Sequence, residues 1–207
     1  MMERDVHMKP KELLHSLQFK DGDFGDIVLV SGQQHRAQMC LEKLENPVKN
    51  FTFLGYTFWT GIYKDRKLTV GNGGFYAPDS ALVTEMLCAG GIKTLIRLGS
   101  CGSLSKDINI GDYVLVTDVL RGDGATQYYV DDDFVPQVSE DVNSALETVF
   151  KQAGSVHKGG IWTTDAIFKE TKEIVNPYIA KGAVAVDMVT SPFVTVANLY
   201  KRKVGAI

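Results

Sequence analysis

Two periodicities alternate along this chain. Short, continuous apolar runs at residues 26–31 (DIVLVS), 95–98 (LIRL), 113–120 (YVLVTDVL), 159–165 (GGIWTTD) and 183–188 (AVAVDM) read as buried strands. Between them, helical spacing marks residues 33–44, with Ala37, Cys40, Leu41 and Leu44 on one face, and residues 80–89, with Leu82, Met86 and Ala89 inward. Further helices are expected at 138–152, at 170–180 with a break or kink at Pro177, and at 190–200, where Pro192 falls in a tolerant first turn. Asn46-Pro47 is expected to end the first of these helices, and Gly90-Gly91 to cap the second. The aromatic and β-branched stretch 51–62 reads as one or two strands, followed by a polar turn at 63–67 and a strand at 68–70 that breaks at Gly71-Asn72-Gly73-Gly74. Residues 1–14 read as a charged, mobile extension or short helix, and residues 203–207 begin another strand. The pattern implies an α/β fold of three layers. Its central sheet is mixed and largely parallel, is flanked by helices, and gains antiparallel pairing from residues 51–70.

Composition narrows the function classes. A formal net charge of −3 argues against non-specific nucleic-acid binding. Cys40, Cys88 and Cys101 lie far apart without CxxC spacing, as reduced thiols of a cytoplasmic protein would, and His7, His15, His35 and His157 fall in no metal-ligand spacing. The first residues carry mixed charge and no apolar core of a signal peptide, and no apolar run reaches the length of a membrane span.

The candidate chemistry lies at the strand ends, where ligands sit in open α/β sheets. Arg97 interrupts an apolar strand that runs into Gly99-Ser100-Cys101-Gly102. A guanidinium there needs an anion, either a buried Asp or Glu or an oxyanion ligand. Ser100 and the glycine N–H groups could cradle such a ligand. Arg36, in the first turns of the helix after Gly32, is either a second anion contact or a solvated side chain. The GNGG loop, the loop Arg121–Thr126, Asp165 and Asp187 lie at the same ends of their strands. Asp165 fits either a ligand contact or a cap on the next turn.

Taken in order, these motifs resemble the nucleoside phosphorylase family that includes bacterial-type purine nucleoside phosphorylase and uridine phosphorylase. IRLGSCGSL is similar to that family's phosphate-binding strand and turn, DFGDIVLVSGQQHRA to its first strand and turn, TGIYKDRKLTV to its hairpin, and AVAVDMVTSP to its ribose-binding stretch. The resemblance runs from about residue 15 to the last residue and implies one phosphorylase-like domain over 1–207. It implies that Gly32, Arg36, Arg97 and Ser100 bind phosphate. It also implies that His15, Gly73, Arg121, Thr126, Asp165, Phe168, Asp187 and Met188 contact the nucleoside, His15 by reaching a neighbouring subunit's site. No residue is assigned as catalytic. The expected partners are a nucleoside and inorganic phosphate as co-substrate, with no other cofactor, no metal, no nucleic acid and no membrane. The expected assembly is a homodimer-based oligomer, usually a hexamer.

The sequence departs from the family pattern at several places. Gln33 and Gln34 replace the Asp-Pro of the first turn, Leu54 stands where a subunit-crossing arginine is often found, and Val189 replaces the glutamate expected to hold the ribose hydroxyls. The chain ends at Gly205-Ala206-Ile207, ahead of the family's Ser-Asp motif, so it is expected to lack the end of its C-terminal strand and a final helix. Three readings follow: a phosphorylase for a purine or pyrimidine nucleoside; an impaired homologue that binds anion and nucleoside; and a nucleosidase, which the retained Arg36 and Arg97 disfavour.

Overall fold

A computed structural model describes residues 7–207. The N-terminal extension, so far as it falls within these residues, is the helix α1 (Pro10–Ser16), whose Leu14 is fully buried against α3 (Ala77–Ala89). It is therefore a docked element and not the mobile segment its charge suggested, because one apolar side chain per turn is enough to anchor it. The start of the extension lies outside the described residues.

Six strands form the first sheet, in the order β10-β5-β1-β4-β3-β2. β1 (Ile27–Ser31), β4 (Arg66–Asn72), β5 (Thr94–Leu98) and β10 (Lys203–Ala206) run parallel, and β3 (Tyr56–Tyr63) and β2 (Glu45–Phe53) add antiparallel pairs. The hairpins are joined by Leu54-Gly55 and Lys64-Asp65, all four at positive φ, the two-residue turns whose twist matches that of the strands. Leu54, 70% exposed, is a turn residue. The helix after β1, α2 (Gln34–Leu41), ends earlier than its apolar spacing suggested. β2 starts at Glu45 and runs through Asn46-Pro47, with Asn46 at φ 49°. The proline is accommodated because β2 is an edge strand.

A second sheet, β6-β9-β8-β7, comprises β7 (Tyr113–Gly122), β8 (Val156–Thr164) and β9 (Ala183–Asp187) in parallel, with β6 (Gly102–Ser103) antiparallel to β9. The mixed, largely parallel arrangement is thus divided between two sheets. The small-residue turn at 99–101 carries the chain from β5 to β6, and register shifts at Val116/Asp118 and Gly160/Ile161 bend the second sheet. One core joins them. Val28, Val30, Leu95 and Val204 share a cluster with Val116, Val119, Ile161 and Ala185, sealed by Phe193, Val194 and Ala197 of α6 (Thr190–Leu199). α6 is buried from Thr190 through Ala197 and accordingly carries no charged residue. α4 (Glu140–Phe150) packs on β7 and β10, and α5 (Lys172–Ala180), which contains Pro177, packs on β9.

The GNGG loop divides its labour. A Cβ on Gly73 would meet Val30 Cγ1 at 2.2 Å, so this glycine is required by the core, and its N–H donates to Ser31 O at 2.8 Å. Gly73→Ala is expected to destabilise the protein by about 1–3 kcal/mol through overpacking, read as a lower midpoint in urea unfolding. Among the described residues no helix is long and apolar enough to cross a membrane.

Candidate active site

β1 and β5 lie side by side in register, Ser31 opposite Leu98, so the turns that follow them emerge together. Arg97 lies near the end of β5 and is 4% exposed. Its Nε and Nη1 are buried without a hydrogen-bond partner. Burial pushes the guanidinium down to about 10, Asp187 raises it and Arg36 lowers it further. It remains cationic at neutral pH. Arg36, half-buried in the first turns of α2, donates through Nη2 to Ser100 Oγ at 3.3 Å. A Cβ on Gly32 would lie 3.4 Å from Arg97 Nη2, so the glycine leaves that nitrogen accessible.

The two arginines separate two cavities. The smaller, about 320 Å³, is lined by Gly32, Gln33 and Arg36, by Gly74 and Phe75, by Ile167, Glu170, Met188 and Val189, and by Arg97, Ser100 and Asp187. The larger, about 650 Å³, lies behind and is mostly apolar, with Met39, Cys40, Val114, Phe150, Ile161 and Ile207 in its walls. Arg36, Arg97, Ser100, Cys101 and Asp187 face both.

The structure brings together Gly32, Arg36, Arg97, Ser100, Asp187 and Met188 of the residues singled out in the sequence. Gly74, at φ +88°, lines the cavity in place of Gly73. Asp187 is committed to the frame. Oδ1 accepts from Thr163 Oγ1 at 2.8 Å and from the Val189 N–H at 3.2 Å, and Oδ2 accepts from the Thr190 N–H at 3.1 Å and its hydroxyl at 2.6 Å. It thereby satisfies N–H groups at the start of α6 and ties them to β8.

The loop after β7 is held by its own residues. Arg121 donates to Thr126 Oγ1 at 3.1 Å and to the carbonyls of Asp131 and Phe134 at 2.7 and 3.2 Å. Thr126 is buried, and Asp123 caps its N–H at 2.8 Å while accepting from Ser191 Oγ at 2.7 Å. Asp165 accepts from the Gly124 N–H at 2.7 Å, so it pins this loop. Arg121, Thr126 and Asp165 therefore serve as loop anchors within this chain, and none of them lines either cavity. Phe168 is 96% exposed and His15 is exposed on α1; neither lines either cavity. Sequence reasoning missed Gly74 and Glu170. The positive-φ glycine cannot be told from its neighbour by spacing, and Glu170 sits in a polar stretch with no periodicity. The Asp123–Ser191 link, across 68 residues, has no local signal at all.

The parallel strands of this α/β fold bring two arginines, a serine and a glycine together at adjacent strand ends. Residues 26–207 match the family model of the phosphorylase superfamily, and the chain belongs to that family. It is 30% identical over 185 residues to a DeoD-type purine nucleoside phosphorylase of Clostridium perfringens, covering 87% of this chain and 79% of that protein. It is 28% identical over 190 residues to the one from Jannaschia sp., covering 90% and 81%. The fold is shared with the crystal structure of uridine phosphorylase from Vibrio fischeri, at a TM-score of 0.84 and 22% identity, over 91% of this chain and 80% of that one.

Proposed function

We propose that the protein is a nucleoside phosphorylase, a pentosyltransferase that cleaves a purine or pyrimidine nucleoside with inorganic phosphate. A phosphate oxygen attacks C1 of the sugar, the N-glycosidic bond breaks, and the free base and a (deoxy)ribose 1-phosphate leave. The observation that carries this reading is the buried Arg97, whose Nε and Nη1 have no partner in the protein, in the wall of a cavity that also holds Arg36 and Ser100. A buried cation with free donors is costly unless an anion meets it, and Asp187, the nearby acid, already has its oxygens engaged. Phosphate bound by Arg97, Arg36, Ser100 and the backbone at Gly32 would stand next to the sugar carbon. Its negative charge would there stabilise the positive charge that develops on the sugar ring.

Met188 packs against the sugar in this reading, and Gly74 lets the backbone approach it. No further cofactor is required. The family resemblance supports a homodimer-based hexamer in the cytoplasm, in which exposed His15 reaches a neighbouring site. Base release from a panel of purine and pyrimidine ribo- and deoxyribonucleosides, with and without phosphate, tests the proposal. Release that depends on phosphate and yields a sugar 1-phosphate supports it, and release at an equal rate without phosphate assigns a nucleosidase. Val189, apolar in the cavity wall, favours a second reading, an impaired homologue that binds without turnover. Phosphate-dependent thermal stabilisation without base release would select that reading.

A further inference from the structure

Two carboxylates face the smaller cavity, and only one of them is free. Asp187 receives four donors from Thr163, Val189 and Thr190. Glu170, between the 3-10 turn Ile167–Lys169 and α5, is half-buried at the cavity wall and takes part in none of the hydrogen bonds or ion pairs among the described residues. It shares the cavity lining with Met188 and Val189, which offer no acceptor in their side chains, and with Gly74. The remaining charged groups of the cavity, Arg36 and Arg97, are donors. Whatever hydroxyl groups a ligand presents in this cavity have Glu170 as their available anionic acceptor.

We infer that Glu170 is the sugar-recognition residue of the site, its carboxylate accepting hydrogen bonds from the ribose hydroxyls of the substrate. The inference rests on the nucleoside phosphorylase reading above, which fixes the order of groups in the cavity. Phosphate occupies the arginine end, and the sugar is the part of the nucleoside that must lie within about 3–3.5 Å of it. The base lies farther out. A carboxylate in the same small cavity as the anion site therefore meets the sugar first. A vicinal diol can donate to both oxygens of one carboxylate, whereas a 2-deoxy sugar offers one donor fewer. Glu170 accordingly sets the preference for ribose over 2-deoxyribose.

The test compares the native protein with Glu170→Ala and Glu170→Gln. Two quantities are read: calorimetric affinity for ribose 1-phosphate and for 2-deoxyribose 1-phosphate, and kcat/KM for a nucleoside and its 2′-deoxy analogue. Losing a hydrogen bond to a charged acceptor is expected to lower ribose affinity about 10- to 100-fold, with a smaller loss for the deoxy compound, so the ribose-to-deoxyribose ratio collapses towards one. Glutamine, which keeps one acceptor, is expected to fall between. Because Glu170 holds no other protein group, the variants should melt with the native protein. An unchanged ratio in Glu170→Ala, or a native protein that does not discriminate the two sugars, overturns the inference. The affinity arm is independent of turnover. A ratio that depends on Glu170 without base release would leave Glu170 in place and remove the phosphorylase reading; base release with an unchanged ratio would do the reverse.

Discussion

Replacing Arg97 by methionine is expected to lower phosphate-dependent kcat/KM by about 10²- to 10⁴-fold while leaving the melting temperature in phosphate-free buffer unchanged or raised. The two halves have one physical cause. Hydrogen bonds to a charged partner are worth about 1.5–3 kcal/mol each, and Arg97 has two buried nitrogens without a protein partner, so the loss of two such bonds, about 3–6 kcal/mol, amounts to a factor of about 10²–10⁴. In the absence of phosphate the same guanidinium is a burden. Burial lowers its pKa from the ordinary arginine range to about 10, which means that folding disfavours its charged form. For a cation the sign is unambiguous. The cost is fully present below about pH 10 and fades as the pH rises from there towards the ordinary arginine range. Methionine fills much of the same volume without charge, and such replacements of buried ions are often neutral or stabilising. Calorimetric melting with and without phosphate separates the two effects. The native protein should gain stability with phosphate and Arg97→Met should not. A variant that melts far below the native protein without phosphate would mark Arg97 as a structural tie and remove the anion reading.

The contrast between Arg97 and Arg121 shows what the sequence could and could not disclose. Both are arginines at the end of an apolar strand. Arg97 stood out because it interrupts the short apolar run Leu95–Leu98 just before a small-residue turn, and its side chain is buried. Arg121 ends a longer strand whose last turn curls back on itself, and its hydrogen bonds go to carbonyls 10 and 13 residues onward. No periodicity predicts that closure, because it depends on the path of the whole loop. The same distinction separates Gly32, placed by a strand end and a helix start, from Gly73, fixed by a contact with Val30 on a different strand. Strands, helices and their order were legible because each follows from local spacing. The division into two sheets was not, since the register shifts that bend β7 and β8 arise from pairing and not from composition. Nor was α1's docking, which rests on Leu14, flanked by Leu13 and Leu17, in a charged segment.

Asp187 is where the frame and the site meet, and Asp187→Ala is expected to be the most destabilising single change in the cleft. Its carboxylate satisfies the N–H groups of Val189 and Thr190, the hydroxyl of Thr190 and the hydroxyl of Thr163. Thr163 and Thr190 are 0% and 2% exposed, so water cannot replace what alanine removes. Loss of a helix cap costs about 1–2 kcal/mol, and leaving buried hydroxyls unsatisfied about 1–3 kcal/mol more. The sum, about 2–5 kcal/mol, corresponds to a fall in Tm of about 4–20 °C for a chain of this size. The damage should spread along α6, because Ser191 N–H donates to Thr163 Oγ1 at 2.9 Å and Ser191 Oγ donates to Asp123 at 2.7 Å. Thus the loop after β7 is anchored through the same helix start. Asp187→Asn keeps the shape and one acceptor oxygen but turns an amide N–H₂ towards groups that are themselves donors, so its Tm is expected midway between the two. Urea unfolding of the three proteins, followed by base release at a temperature where all are folded, distinguishes frame from chemistry. A stability loss of this size with most of the turnover retained assigns Asp187 to holding α6 against β8. A native-like midpoint with turnover abolished would instead place its carboxylate on the substrate and overturn the structural assignment.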